Sequence, residues 1–63
     1  MHKIVCPTPG HALMLATVLE HEGHPSYWAM VDGRPRVVTM APSVAIRAAV
    51  STFAIRHVAE DVS

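Results

Sequence analysis

The stretch SYWAMVDGRPRVVTM, residues 26–40, decides how this chain folds. Its first part, SYWAMV, is aromatic and β-prone, and it runs straight into Asp32-Gly33. Asp-Gly is among the best sequences for a two-residue hairpin loop, because a type I′ turn needs positive φ at both central residues. RPRVVTM then supplies the return strand. Pro35 has no N–H to give to a ladder, so this end of the strand is expected to lie at an edge, or the loop to be longer. Side chains alternate along a strand. Tyr27, Ala29, Val31, Val38 and Met40 therefore share one side, and Trp28, Met30 and Val37 share the other. Neither side is polar, which is unusual for an antiparallel sheet with one face in water.

Upstream of the hairpin, HKIVC (2–6) reads as a strand ended by PTPG (7–10). Thr8 suits an N-cap and Pro9 the first helical position, where a missing N–H costs nothing. Gly23 suits the left-handed position after a helix and Pro25 follows it, so the spacing predicts a helix over 9–22. At 100° per residue Ala12, Leu15, Val18 and Leu19 form one stripe, with Leu13 and Met14 away from it.

Downstream, residues 41–63 read as a second helix begun by Pro42. Ile46, Ala49, Val50 and Phe53 form one stripe, continued by His57. Val44, Ala48, Ile55, Ala59 and Val62 form a second, nearly opposite. A helix apolar on two faces is expected to be buried on two faces. These elements predict a single α+β domain of order β-α-β-β-α over 1–63, a three-stranded, mainly antiparallel sheet with two helices packed on one face.

Composition sets the function classes. The chain has 63 residues, 51% hydrophobic and 16% charged, with one cysteine and thus no internal disulfide. A domain this small buries only about 60% of its unfolded surface. Surplus apolar surface is expected, and a large patch of that kind marks an interaction site. Net charge is zero with histidines neutral, which disfavours the basic field of a nucleic-acid binder. No apolar run approaches a membrane span of about 20 residues, and residues 1–5 lack the apolar stretch of a signal peptide. A cytoplasmic location and no membrane partner are expected.

The chemistry-bearing residues are few. HEGH (21–24) falls short of the zincin motif His-Glu-x-x-His, with its second histidine one residue early and Gly23 ending the helix before it. A looser zinc site would use Cys6, His11, His21 and His24, although their spacing fits no common pattern. Otherwise His21 and His24 sit at a helix end, near free carbonyls and the negative end of the dipole. Cys6 precedes a helix N-terminus with His11 as a candidate base, but free cysteine is commonly a small buried hydrophobe. No cofactor motif occurs, and no enzyme is expected.

The favoured reading is a small non-enzymatic binding or regulatory protein acting through protein–protein contact. Products of this size are frequent among phage- or mobile-element-encoded inhibitors of a host machine. Tyr27, Trp28, Met30, Arg34 and Arg36 on the hairpin are the expected partner contacts. A homodimer is expected through Val44, Ala48, Ile55, Ala59 and Val62 on the last helix, whose small residues let a partner helix approach. The order strand, helix, hairpin with GRPRVV (33–38), helix also resembles the N-terminal domain of prevent-host-death type antitoxins. That resemblance implies a dimeric DNA-binding regulator, although His11 stands where such proteins tend to place arginine.

Overall fold

A computed structural model describes residues 1–53 and the backbone of 58–61. The hairpin forms as the Asp-Gly pair indicates. Asp32 (φ 52°) and Gly33 (φ 75°) both take positive φ and join β2 (Ser26–Val31) to β3 (Arg34–Thr39) with Val31 opposite Arg34. The loop is the short one. Pro35 is accommodated because the two backbone groups of one residue in an antiparallel strand point the same way. Its carbonyl faces β1 (His2–Val5) and accepts from the Cys6 N–H at 2.9 Å. The missing N–H therefore lies on the side where β1 ends, and β2 never calls on it.

Helix α1 (Pro9–His21) is closed at both ends by the expected residues. Thr8 Oγ1 accepts from the His11 N–H at 3.1 Å. At the other end Gly23 takes φ 92°. Its N–H donates to the Glu20 carbonyl at 2.9 Å and the His24 N–H to the Leu19 carbonyl at 3.0 Å. That pair of bonds is the Schellman arrangement. Backbone amides, rather than the imidazoles of His21 and His24, thus take these terminal carbonyls.

The second helix is shorter than its sequence suggests. Helix α2 spans Ser43–Thr52, and β4 follows at Val58–Asp61. The expected helix over 41–63 is corrected accordingly. The physical gain is at the sheet: β1 has an outer edge, and β4 pairs along all of it, from His2 opposite Asp61 to Val5 opposite Val58. Ala59 is a strand residue opposite Ile4. Ile55, His57 and Val62 lie outside the described residues.

The order β-α-β-β-α and the antiparallel set β2-β3-β1 agree with the sequence reading, and β4 extends the sheet to β2-β3-β1-β4. β1 and β2 run parallel with β3 between them, and β3 and β4 run parallel with β1 between them. These are two interleaved split β-α-β units, the ferredoxin-like topology, which by itself carries no function.

One row across the sheet, Trp28–Val37–Ile4, meets the helices. Ile4 and Val37 are fully buried with Leu15 and Leu19. Ala12 and Ala16 of α1 and Ile46, Ala49 and Val50 of α2 join the same cluster, with Val18 and Trp28 at its margin. Each fully buried Ile, Leu or Val side chain contributes on the order of 1.5–3 kcal/mol. Thr39 is buried but satisfied: its hydroxyl lies 2.7 Å from Ser26 Oγ and accepts from the Ala41 N–H at 3.0 Å.

Gly23→Ala forces a Cβ into left-handed backbone and should cost about 1–2 kcal/mol, although no atom lies within 4 Å of the added carbon. Thr8→Ala should cost about 1 kcal/mol. Urea denaturation midpoints measure both, and a neutral Gly23→Ala would contradict the helix ending.

Candidate protein-interaction surface

Register alone builds the other face of the sheet. Tyr27, Val38 and Lys3 stand in one row, Ala29, Arg36 and Val5 in the next, and Val31 with Arg34 beside the turn. β4 continues the first two rows with Glu60 and Val58. The helices bury their apolar stripes in the cluster that holds Ile4 and Val37, so this second face receives none of them. Tyr27 is 62% exposed and Met40 59%, while Val5, Ala29, Val31 and Val38 are half-buried by one another. At one end Met1, Tyr27, Val38 and Met40 line a shallow recess of about 320 Å³, with Glu20 at its rim.

The face mixes apolar residues with cations, Arg36 lying between Ala29 and Val5 and Lys3 between Val38 and Glu60. Lys3, Arg34 and Arg36 all belong to it. Arg47, on α2, is the other described lysine or arginine. The described acidic side chains Glu20, Glu22 and Asp32 lie on α1, just after it and in the turn.

Of the hairpin residues expected to contact a partner, Tyr27, Arg34 and Arg36 come together here. Trp28 does not: it points to the helix side and packs on the core. Met30 shares that side but is 52% exposed at the end of the edge strand. Val44 and Ala48 are exposed on α2, yet the stripe meant to continue through Ala59 is broken by the change from helix to strand. Lys3, Val5 and Met1 were not expected on the surface. Alternation along HKIVC puts Lys3 and Val5 on one side, and pairing of that strand with β3 would have added them to the Tyr27 face.

A second recess of about 450 Å³ lies between the helices, lined by Val18, His21, Ala48 and Phe53 among others. Among its described lining residues the titratable ones are His21 and Glu22. Among the described residues no three of His, Cys, Asp and Glu are placed to hold a metal ion. The zinc set Cys6, His11, His21 and His24 is therefore not assembled. His11 and His21 occupy opposite ends of α1, about 15 Å apart at 1.5 Å per residue, and Cys6 is buried in the core. His11 Nδ1 has no hydrogen-bond partner among the described residues, so it does not engage the Cys6 thiol. No described helix is long and apolar enough to cross a membrane.

No protein-family model, curated protein or solved structure matches the chain.

Burial pushes the Cys6 thiol above its ordinary value of 9.0. Below that value folded and unfolded chains both keep the proton, and the thiol adds no pH dependence. Above it the unfolded chain ionises first, so stability should fall as pH rises from about 9 toward the folded value. Urea midpoints at about pH 8 and about pH 10 should show a drop that is smaller in Cys6→Ala. Native Cys6 should also resist a thiol reagent that labels it rapidly in denaturant.

Proposed function

We propose that this chain is a non-enzymatic binding protein, and that the uncovered sheet face is where it meets a protein partner. One observation carries the reading: Tyr27, Val38, Val5, Ala29, Val31 and Met40 share a largely apolar sheet face, interrupted by Arg36 and Lys3, that receives none of the buried stripes of α1 and α2. Exposed apolar surface of this kind marks interaction sites. Tyr27 supplies an aromatic anchor beside a recess, the usual make-up of an energetic centre, with Arg36 diagonal to it across β3. The cations Lys3, Arg34 and Arg36 favour a partner whose apolar patch carries carboxylates. Regulation by occupying such a surface, as small inhibitors of larger machines do, needs no chemistry from the chain itself. A cytoplasmic setting accords with one free, buried cysteine.

A DNA-binding reading draws on the same cations. It would need Lys3, Arg34 and Arg36 to track phosphates, yet the residues between them in the sheet are valines and alanine rather than polar groups.

The test is affinity capture from the source cells with wild-type chain, Tyr27→Glu, and Val44→Glu on exposed α2 as control. Wild type and Val44→Glu should retain one specific protein. Tyr27→Glu should lose it, with affinity reduced at least about thirtyfold, as for a hot-spot residue. Capture that ignores Tyr27 would contradict the assignment. Duplex DNA bound with a steep salt dependence would replace it with the regulator reading.

A further inference from the structure

Strand β2 is an edge of the sheet, and its backbone shows what fits it. The Met40 N–H donates to the Pro25 carbonyl at 2.9 Å. Stepping by two, Tyr27–Val38, Ala29–Arg36 and Val31–Arg34 are then the hydrogen-bonded pairs of β2 with β3. The backbone groups of Ser26, Trp28 and Met30 therefore point outward. The Ser26 N–H is already taken, since it donates to Glu20 Oε1 at 2.9 Å. Trp28 and Met30 keep their outward donors and acceptors for solvent, with no partner among the described residues.

Natural sheets guard such an edge with lysine, proline, a bulge or a cover. β2 has neither charge nor proline, and pairs residue for residue with β3 from Ser26 to Val31. The opposite edge strand, β4, contains Glu60 and Asp61.

We propose that β2 pairs antiparallel with β2 of a second copy of this chain, about a two-fold axis at Ala29. The edge is its own complement. The free groups of Trp28 and Met30 lie symmetrically on either side of Ala29, so Trp28 of each copy exchanges both its hydrogen bonds with Met30 of the other. Ala29 of the two copies then face each other, with no side-chain bulk to hold the strands apart. The pairing is bounded at Tyr27–Val31. Beyond it Ser26 would meet the Asp32 turn, and Glu20 has already closed its donor.

The side chains agree with this axis. Leu13 stands two turns before Glu20 on the same side of α1, and is 53% exposed. On the helix side the pairing brings Leu13, Trp28 and Met30 of one copy toward their counterparts, covering apolar surface that a monomer leaves in water. On the other side Tyr27 of one copy comes beside Val31 of the second, which joins the two open faces into one. The dimer leaves that face free, so it stands apart from the partner assignment above. An extended segment of another protein would also fit an edge strand, but it would leave the isolated chain monomeric.

Sedimentation of the full chain tests this, with Met30→Pro as the variant. The Met30 N–H points outward, opposite Pro35 at a pair that exchanges no bonds, so proline there removes no bond from the β2–β3 ladder. Wild type should sediment as a dimer. Met30→Pro should weaken the dimer at least about tenfold with an unchanged far-ultraviolet circular dichroism spectrum. In a mixture of isotope-labelled and unlabelled wild-type chains, an intermolecular contact between the two Ala29 α-protons should appear. A wild-type monomer up to about 1 mM, or a dimer lacking the Ala29 contact, overturns the proposal. Should Met30→Pro unfold, the Ala29 contact decides alone.

Discussion

The turn at Asp32-Gly33 is the constraint from which the rest of the structure follows. With both residues at positive φ, the loop holds two residues and Val31 must face Arg34. Because side chains alternate with a period of two, a slip of one residue would exchange the faces of a whole strand. Val38 would enter the core and Val37 would leave it. In the observed register Val37 lies between Trp28 and Ile4. Thr39 falls beside Ser26, where their hydroxyls meet. Pro35 falls where β2 asks for no donor.

The buried residues of both helices meet one side of this sheet. α1 and α2 are both committed to the cluster around Ile4 and Val37. The remaining face carries Tyr27, Ala29, Val31, Val38 and Val5 together with Arg34, Arg36 and Lys3. A free-standing sheet ordinarily alternates apolar and polar residues. On β2 that alternation is missing, since Tyr27, Ala29 and Val31 lie on the open face and Trp28 and Met30 on the helix side. The charges on this face are few: Arg36 and Lys3 on the inner strands, Arg34 beside the turn and Glu60 on β4.

Much of this was legible in the sequence. Thr8, Pro9 and Gly23 delimit α1 by local backbone chemistry, which needs no tertiary information. Asp32-Gly33 and the alternation on either side of it place Tyr27 and Val37 on opposite faces. The end of α2 was not legible. Between Ser43 and Ser63 there is no glycine or proline to stop a helix, and the residues around VAED (58–61) form too short a run to distinguish strand from helix by periodicity. What decides is tertiary: β1 has an outer edge that a helix could not satisfy. Extending the helical period past Thr52 placed Ala59 on a dimer face, whereas it lies in the sheet opposite Ile4. The place of Lys3 and Val5 on the open face was missed for a related reason, since it depends on which strand β1 joins.

Register can be read directly from close α-protons, which approach one another only at pairs that exchange no hydrogen bonds. A two-dimensional nuclear Overhauser spectrum of the chain is therefore the most direct measurement. The account predicts α-proton contacts between Trp28 and Val37 and between Lys3 and Val38, which put Val37 inside and leave Tyr27 and Val38 on the open face. Contacts between Tyr27 and Val37, or between Ile4 and Val38, would mean a slipped register, and the surface described here would then be part of the core.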